Sequence, residues 1–289
     1  MHYEGNIFRP PSEANSILLQ VTRGCSHNKC SFCGMYKGTR FSIKDDATIL
    51  ADIEFAVRHC QRQTRLFLCD GDVLIVPQKR LLTILAAIRE RLPWVSRVAT
   101  YANTKSILRK TPEELRQLRD LGLSMAYMGL ESGDDVTLQR ISKGADAQRM
   151  IDMGWKIRAA GIKLSITVLL GIAGCERSEI HARETGRVLS AVDPEYVGAL
   201  SLMLTPGTPL YDDSAAGRFS LPAAAGMLRE LRTMFACTNL TDGFFHANHA
   251  SNYLPIKARL PQDKAAVLRL IDSALKGETA LRPEYMRAL

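Results

Sequence analysis

The stretch SILLQVTRGCSHNKCSFC, residues 16–33, joins an apolar run to a polar loop that contains three cysteines. Short apolar runs rich in strand-forming residues, such as 16–21, recur about every 30 residues along the chain. Amphipathic segments that open with capping residues or proline separate these runs. This alternation predicts repeated strand-helix units, and the near-continuous apolar strands predict a parallel sheet covered on both faces.

Six strands and five connecting helices are predicted in this part of the chain. The strands are at residues 16–21, 65–69, 97–101, 124–130, 163–171 and 196–204. The helices begin near Lys44, Pro77, Thr111, Asp146 and Glu176. Thr111 followed by Pro112 and Glu114 has the residue types of a capped helix start. After Pro222 the pattern changes to a helix, a loop and a final helix from about Gln262.

Polar or glycine-rich segments directly follow the predicted strands. They are CSHNKCSFC, DGD, NTK, ESGDD, GIAG and TPGTP. Ligands of parallel α/β sheets and barrels bind beyond the carboxyl ends of the strands, so the functional residues are predicted at this edge. Neither a dinucleotide fingerprint after the first strand nor a phosphate-binding loop is present in the sequence, which disfavours those two cofactor classes.

Composition places the chain among ordinary globular proteins. Of 289 residues, 46% are hydrophobic and 24% are charged, and there is no tract of about 18 apolar residues that would predict a membrane span. The first residues lack the pattern of a secretory signal, so a cytoplasmic protein with reduced cysteines is expected. The 38 Lys and Arg exceed the 30 Asp and Glu by eight. This excess suits an anionic partner, although scattered cations more often form solvated helix faces.

Three of the seven cysteines, Cys25, Cys30 and Cys33, lie within nine residues, and the other four are dispersed. Clustered thiolates in a reducing compartment are typical of a metal centre. A structural zinc site needs four ligands, usually from two Cys-x-x-Cys pairs, and the nearby fourth candidate is His27 in the same loop. Three cysteines without a second pair favour an iron-sulfur cluster with one open iron, and zinc is the alternative.

The loop TRGCSHNKCSFCGMYKG resembles the cluster loop of the radical S-adenosylmethionine (SAM) superfamily, including the aromatic Phe32 before the last cysteine. The family spacing is Cys-x3-Cys-x2-Cys, whereas this chain has Cys-x4-Cys-x2-Cys. The segment GLESGDDVTLQRISKG resembles the Elongator, methylthiotransferase and oxygen-independent coproporphyrinogen dehydrogenase branches. The resemblance implies a partial (β/α)6 TIM-type barrel over residues 14–212, an N-terminal segment, 1–13, and a short helical C-terminal extension, 213–289, that closes the barrel.

The resemblance also implies which residues hold the cofactors. Cys25, Cys30 and Cys33 are expected to bind a [4Fe-4S] cluster. Asp70-Gly71-Asp72 takes the place of the family's Gly-Gly-Glu motif beside the amino group of SAM, and Lys143 is placed to pair with its carboxylate. The full set expected to bind SAM is Phe32, Asp70, Gly71, Asp72, Glu131, Lys143, Thr167, Ile172 and Leu204. In this set Glu131 contacts the methionine or ribose part, Thr167 faces the ribose and Ile172 flanks the adenine.

The resemblance implies an enzyme in which the reduced cluster cleaves SAM and a 5′-deoxyadenosyl radical abstracts hydrogen from the substrate. We expect a small anionic metabolite as substrate and a flavodoxin or ferredoxin as electron donor. An RNA-modifying enzyme is an alternative that the lack of a recognisable RNA-binding module disfavours. A zinc or iron-sulfur binding protein without radical catalysis is a further alternative.

The segment FFHANHASNYLP, residues 244–255, is the densest polar and aromatic stretch outside these motifs. It makes His246, His249 and Asn252 candidate substrate contacts. The alternative is a loop whose side chains cap helices and bind backbone. Cys69 and Cys175 also follow strands at the predicted active edge, although an isolated cysteine is more often a small buried apolar residue.

Overall fold

A computed structural model describes residues 1–288, in which strands and helices alternate as predicted. The strands are β1 (Ile17–Gln20), β2 (Thr22–Arg23), β3 (Ser42–Ile43), β4 (Arg65–Cys69), β5 (Arg97–Ala102), β6 (Leu123–Glu131), β7 (Lys163–Leu170), β8 (Tyr196–Ser201), β9 (Gly243–His246) and β10 (Lys257–Leu260). The helices are α1 (Asp46–His59), α2 (Gln78–Arg91), α3 (Thr104–Arg109), α4 (Pro112–Asp120), α5 (Asp135–Arg140), α6 (Ala147–Ala159), α7 (Gly174–Val192), α8 (Pro209–Ala215), α9 (Ala224–Cys237) and α10 (Lys264–Leu275).

Eight of these strands form one sheet in the order β1-β4-β5-β6-β7-β8-β9-β10. The pairs from β1 to β6 and from β7 to β9 are parallel, and β10 pairs with β9 in the antiparallel direction. β2 and β3 form a separate antiparallel pair. The six predicted strands and the predicted α/β class are therefore confirmed, with the mostly parallel sheet that is typical of partial (β/α) barrels.

Local sequence accounts for the helix starts. At α4 the Thr111 side chain accepts a hydrogen bond from Glu114 N at 3.1 Å, and the Glu114 carboxylate accepts one from Thr111 N at 2.7 Å. This capping box, with Pro112 at the first helical position, is the arrangement that the sequence predicts. Asp45 caps α1 in a similar way, since it accepts from Thr48 N at 2.8 Å.

The chain divides into two compact units. Unit 1 consists of Met1–Asn28, Met35–Met128 and Trp155–Leu164, and unit 2 consists of Lys29–Gly34, Gly129–Gly154 and Ser165–Leu289. In unit 1 the buried faces of β4 and α2 supply much of the core, and in unit 2 α7 packs against α9, which in turn packs against α10. The division at residues 13 and 212 that the resemblance implies stays a prediction.

The C-terminal extension is not purely helical, which corrects the expectation from the sequence. The two predicted helices are present as α9 and α10, but β9 and β10 lie between them and extend the sheet. Each of these strands has four residues, too few to show a clear alternation, and pairing with the neighbouring strand makes them extended. Among the helices of residues 1–288, none is long and apolar enough to cross a membrane.

Candidate active site

The carboxylate of Asp72, which follows β4 in unit 1, is held by hydroxyl groups. Ser106 Oγ donates to both of its oxygens at 2.6 Å, and Ser26, the residue after Cys25, also donates to it. Asn103 accepts from Ser106 N at 2.9 Å at the start of α3, which fixes the position of the serine. Asp72 is fully buried, and this burial raises its pKa, although the hydrogen bonds from Ser106 and Ser26 act in the opposite direction.

Asp70, at the end of β4, is also surrounded by neutral donors. Its carboxylate accepts from Tyr36 Oη at 2.9 Å, from Gln20 Nε2 at 3.4 Å and from Phe8 N at 3.4 Å. Burial raises the pKa of Asp70 by more than these hydrogen bonds lower it. Because the donors to Asp70 and Asp72 are all uncharged, they fix the two carboxylates without cancelling their negative charge.

Gly71 brings the backbone after β4 close to the first cysteine. A Cβ atom at this position would lie 2.8 Å from the Tyr36 ring, 3.0 Å from Cys25 Cβ and 3.1 Å from the backbone oxygen of Gly24. The contact with the Tyr36 ring is shorter than real Cβ contacts, and the other two are tighter than most, so a side chain here would have to displace its neighbours. The predicted motif Asp70-Gly71-Asp72 therefore lies directly against Cys25.

The other two cysteines belong to a short turn in unit 2. Cys33 N donates to Cys30 O at 3.3 Å across this turn. Between them, Ser31 N donates to Ile141 O at 2.9 Å, and Ser31 O accepts from Leu210 N at 3.0 Å. The backbone of Ser31 is thus tied to the end of α5 and the start of α8, which holds the turn in place.

Three predicted SAM contacts meet in one apolar cluster of unit 2. Phe32 from the cysteine loop and Leu204 from the segment after β8 pack against a buried group that includes Ile172, which follows β7. The buried members of this cluster are Leu138, Ile141, Leu169, Ile172, Leu202 and Leu210. Gly171 has a φ of 83°, and a Cβ there would collide with Met227, so the turn before Ile172 requires glycine.

A cavity of about 190 Å³ borders this cluster. Its lining consists of Thr137, Arg140, Ile141, Ile172, Ala173, Gly174, Cys175, Glu176, Leu210, Asp213, Arg218, Phe219 and Ser220. Cys175 is an exposed free thiol in this lining, with its Sγ 3.6 Å from Ser220 Oγ.

Cys69, by contrast, is fully buried, and this burial raises the pKa of its thiol well above the ordinary value. Cys69 therefore has the surroundings of a small buried apolar residue.

Glu131 and Lys143 form an ion pair at the end of β6 in unit 2. Lys143 Nζ donates to Glu131 Oε1 at 2.9 Å, and the side chains are 16% and 10% exposed. A Cβ at Gly129 would collide with the Glu131 carboxylate, so the pair lies directly over this glycine. Glu131 itself has a φ of 64°, in the left-handed region that non-glycine residues seldom adopt. The two predicted residues are therefore in contact.

The donor chemistry of the cysteine loop fits a multi-iron cluster. Cys25, Cys30 and Cys33 form no disulfide within residues 1–288, and each is partly exposed. Across residues 1–288, no three His, Cys, Asp or Glu side chains form a group that could hold a single metal ion. In a [4Fe-4S] cluster the thiolates bind different irons, so three soft sulfur ligands from one short loop suit this group without converging on one point.

Thr167 and His246 lie in one row across the sheet of unit 2. Thr167 on β7 is opposite Gly198 on β8, and Gly198 is opposite His246 on β9. Both side chains are half-buried. Burial lowers the pKa of His246, and the nearby Lys257 lowers it further. His246 is therefore a neutral ring at neutral pH.

His249 and Asn252 are engaged with the protein itself. His249 Nδ1 lies 2.9 Å from Ser251 Oγ and accepts from Ser251 N at 3.1 Å. Asn252 is 1% exposed, donates to Ala199 O at 2.7 Å and to Ala247 O at 2.8 Å, and accepts from Ser201 Oγ at 2.8 Å. The geometry assigns Asn252 to holding the loop after β9 rather than to direct contact with a substrate.

The sequence did not indicate which side chains lie next to Asp72 and His246. Ser106 and Ser26 are distant in sequence from Asp72, and no local pattern indicates that they meet. Lys257 lies beside His246 in the sheet. Cations and apolar residues alternate in KARL, residues 257–260, but four residues are too few for this alternation to identify a strand.

Comparison with known proteins gives one family match and many structural matches. The model of the radical SAM superfamily matches residues 19–182, more than half of the chain. No curated protein matches the sequence significantly. The matched segment contains all three loop cysteines, Asp70-Gly71-Asp72, Glu131, Lys143 and Ile172.

Three solved structures illustrate the structural likeness. The radical SAM methyltransferase TsrM from Kitasatospora setae, solved with cobalamin and a [4Fe-4S] cluster, has 19% identity, a TM-score of 0.57 and coverage of 72% of this chain and 41% of its own. Coproporphyrinogen III oxidase from Escherichia coli has 14% identity, a TM-score of 0.56 and coverage of 76% and 51%. The archaeal Elp3 from Methanocaldococcus infernus has 13% identity, a TM-score of 0.51 and coverage of 92% and 64%. The chain spans less than two thirds of each of these proteins, and at these identities the likeness concerns the fold.

Proposed function

The chain belongs to the radical SAM superfamily, and from this premise we propose that it uses a [4Fe-4S] cluster to cleave SAM and to abstract hydrogen from a small anionic metabolite. Members of this superfamily are enzymes that use a [4Fe-4S] cluster and SAM, and they require a reductant and a substrate. When bound, the two cofactors supply an electron and a 5′-deoxyadenosyl radical. The protein's own residues bind and orient the cofactors and the substrate, and exclude water.

The observation that carries this proposal is the apolar cluster of unit 2. It joins Phe32 of the cysteine loop to Ile172 after β7 and to Leu204 after β8, three positions far apart in sequence. An apolar surface fixed to the cysteine loop suits the flat adenine ring of SAM. In this proposal Cys25, Cys30 and Cys33 ligate the cluster, and Thr167 faces the ribose.

The charges at two strand ends suit the two charged groups of the methionine part of SAM. Asp70 and Asp72 accept hydrogen bonds from uncharged donors, so no cation of the protein in these hydrogen bonds competes with a cationic amino group beside Gly71. At the end of β6, Lys143 is a mostly buried cation that is paired with Glu131. A carboxylate from the cofactor would share this ammonium group with Glu131.

We propose a place in the superfamily near the Elongator, methylthiotransferase and coproporphyrinogen dehydrogenase branches, on the basis of the segment GLESGDDVTLQRISKG. The proposed core is residues 14–212, with 213–289 as an extension that closes the site and 1–13 as a separate segment. A flavodoxin or ferredoxin is the proposed electron donor. Of the three candidate substrate contacts, His246 has the suitable position, because Asn252 and His249 are engaged elsewhere.

The test is anaerobic reconstitution with iron and sulfide, followed by paramagnetic resonance of the reduced protein with and without SAM. We expect a [4Fe-4S] signal that changes when SAM is added, and 5′-deoxyadenosine after reduction with dithionite. Cys30→Ser should lose both the signal and the product. Cys60→Ser, which changes a half-buried cysteine outside the loop, is the matched control and should keep both.

Tight zinc binding without iron uptake would contradict the proposal, and salt-sensitive binding of tRNA would favour an RNA substrate instead.

A further inference from the structure

In unit 2 the two faces of the sheet have opposite surroundings. Residues such as Ile166, Val197, Phe245 and Ala258 are buried, and Phe245 packs against Phe235 of α9 at 5.0 Å between ring centroids. The alternate residues point to the other face. On that face Thr167, Tyr196, Gly198 and His246 are half-buried, and Phe244, Lys257 and Arg259 are exposed. Helices therefore cover one face, and the other is accessible.

The strand register arranges the residues of this face in two rows. The first row runs from Thr167 through Gly198 and His246 to Lys257, and the second runs from Ser165 through Tyr196 and Phe244 to Arg259. With neighbouring strands about 4.8 Å apart, each row is about 14 Å long. The first row is nearer to the carboxyl end of β7, and Ile172 comes shortly after this end in the chain.

Gly198 leaves a hollow in the middle of the first row. A Cβ at this position would have only Leu200 Cδ1 nearby, at 3.9 Å, and the backbone φ there is not in the left-handed region. Neither backbone strain nor crowding therefore requires glycine here, in contrast to Gly71. The missing side chain opens a space bordered by Thr167 on one side and His246 on the other.

Aromatic rings border the hollow. The rings of Tyr196 and Phe244 are stacked, with centroids 5.7 Å apart and an interplanar angle of 14°. The ring of His246 lies 5.9 Å from that of Phe244. These three rings form a continuous aromatic border along Gly198, and such a border favours a flat aromatic ligand.

The two cations beside this border differ in availability. Arg259 binds Asp242 through two hydrogen bonds of 2.6 and 2.8 Å, so its charge is already neutralised. Lys257 is exposed and makes no ion pair within the described chain. His246 forms no hydrogen bond through its ring within residues 1–288, so it is a free neutral donor next to this lysine. An anion beside the rings would find one unpaired ammonium group and one ring N–H.

We propose that this face binds a small aromatic carboxylate, with its ring over Gly198 against Tyr196 and Phe244 and its carboxylate on Lys257 and His246. The inference rests on the proposed function, because it names the substrate class of the same enzyme. It assigns Lys257, Gly198 and the two aromatic residues to substrate specificity.

Calorimetric titration of the reconstituted protein with naphthoate tests this inference. The probe's uncharged amide, naphthamide, and the non-aromatic cyclohexanecarboxylate separate the contributions of charge and ring. We expect naphthoate to bind at least about tenfold more tightly than either compound. Lys257→Met should weaken naphthoate about tenfold and leave naphthamide unchanged, because it removes the charge and keeps most of the apolar stem. Gly198→Val should abolish naphthoate binding by filling the hollow.

The control variant is Arg269→Met, which removes an exposed cation of α10 and should leave naphthoate binding unchanged. Thermal unfolding of Gly198→Val shows whether the strand has been preserved, and Gly198→Ala repeats the test with a smaller side chain. The cluster signal and 5′-deoxyadenosine formation without substrate should be the same in Arg269→Met as in the wild type.

The two proposals fail in distinguishable ways. If SAM is cleaved but naphthoate does not bind, or binds equally to Lys257→Met and Gly198→Val, the inference about the substrate is wrong and the radical enzyme stands. If naphthoate binds as expected but neither a cluster signal nor 5′-deoxyadenosine is found, the proposed function is wrong and the face is an anion-binding surface of another kind.

Discussion

The carboxylates at the ends of β4 and β6 are fixed by different means. In unit 1, Asp70 and Asp72 accept hydrogen bonds from hydroxyl, amide and backbone donors, and burial raises the pKa of both. In unit 2, Glu131 binds Lys143, and Asp134, the N-cap of α5, binds Arg177 through two hydrogen bonds of 2.8 Å. Burial opposes ionisation of Asp134, but the hydrogen bonds from Arg177 and Thr137 outweigh it and lower its pKa to about 2.

This difference shows how the same side-chain type serves two purposes. Neutral donors hold a carboxylate in position and leave its charge available to a cationic group, whereas a cation cancels the charge and adds a positive group that can be shared. In the proposed function the end of β4 faces the amino group of SAM, and the end of β6 faces its carboxylate. The predictions below change one side of this comparison at a time.

The largest effect is expected from Lys143→Met. Removal of the ammonium group takes away the proposed partner of the SAM carboxylate, so the SAM concentration that gives half-maximal cleavage should rise about 10- to 100-fold. The iron content should be unchanged. Glu131→Gln keeps the lysine and should have a smaller effect on the same measurement. An unaltered SAM requirement in Lys143→Met would remove this residue from the cofactor site.

The second prediction compares Gly71→Ala with Gly198→Ala. The first substitution forces a Cβ against Tyr36, Cys25 and the backbone of Gly24, so we expect a loss of about 1 to 3 kcal/mol in unfolding free energy and a lower iron content per chain. The second places a Cβ in open space and should change stability by less than about 1 kcal/mol. Urea unfolding and iron analysis measure both variants. Equal behaviour of the two glycines would contradict the close packing at the cysteine loop.

The third prediction concerns the charge at the end of β4. Asp72→Asn removes the negative charge and keeps a polar group that can bond to Ser106 and Ser26. We expect SAM to bind about three- to tenfold more weakly, with little change in the unfolding free energy at neutral pH. Ser106→Ala, which keeps the charge and loses a donor, should lower stability more than SAM affinity. If Asp72→Asn lowered the unfolding free energy more than the SAM affinity, Asp72 would act only as a structural acceptor.

The smallest effect is expected from Arg177→Met, and it depends on pH. The depressed pKa of Asp134 contributes stability above its unfolded value of about 3.9, and this contribution is lost as the pH falls toward 2. Because solvent screens the pair, we expect a loss of about 1 kcal/mol at neutral pH. Thermal unfolding of both proteins from pH 8 downward should show a constant difference that shrinks below about pH 5. A difference that grows in acid would contradict the assigned ion pair.

Much of the fold was predictable from the chain, because strands and helices of this type carry local signals. Six of the strands, β1 and β4 to β8, are apolar runs with turn residues at their ends, and the start of α4 has its capping residues within four positions. β9 and β10 were not predicted. Their four-residue segments carry too little pattern, and pairing to β8 rather than propensity makes them strands.

The sequence by itself determined the order of strands and helices along the chain, the cysteine loop and the family, because each depends on residues close together in the chain. The tertiary structure alone decided which side chains meet across strands. Glu131 with Lys143, Asp72 with Ser106, and the row from Thr167 to Lys257 all depend on the positions of elements separate in the chain. A shift of one residue in register moves every side chain of a strand to the opposite face, so such contacts follow from the packed sheet and not from local pattern.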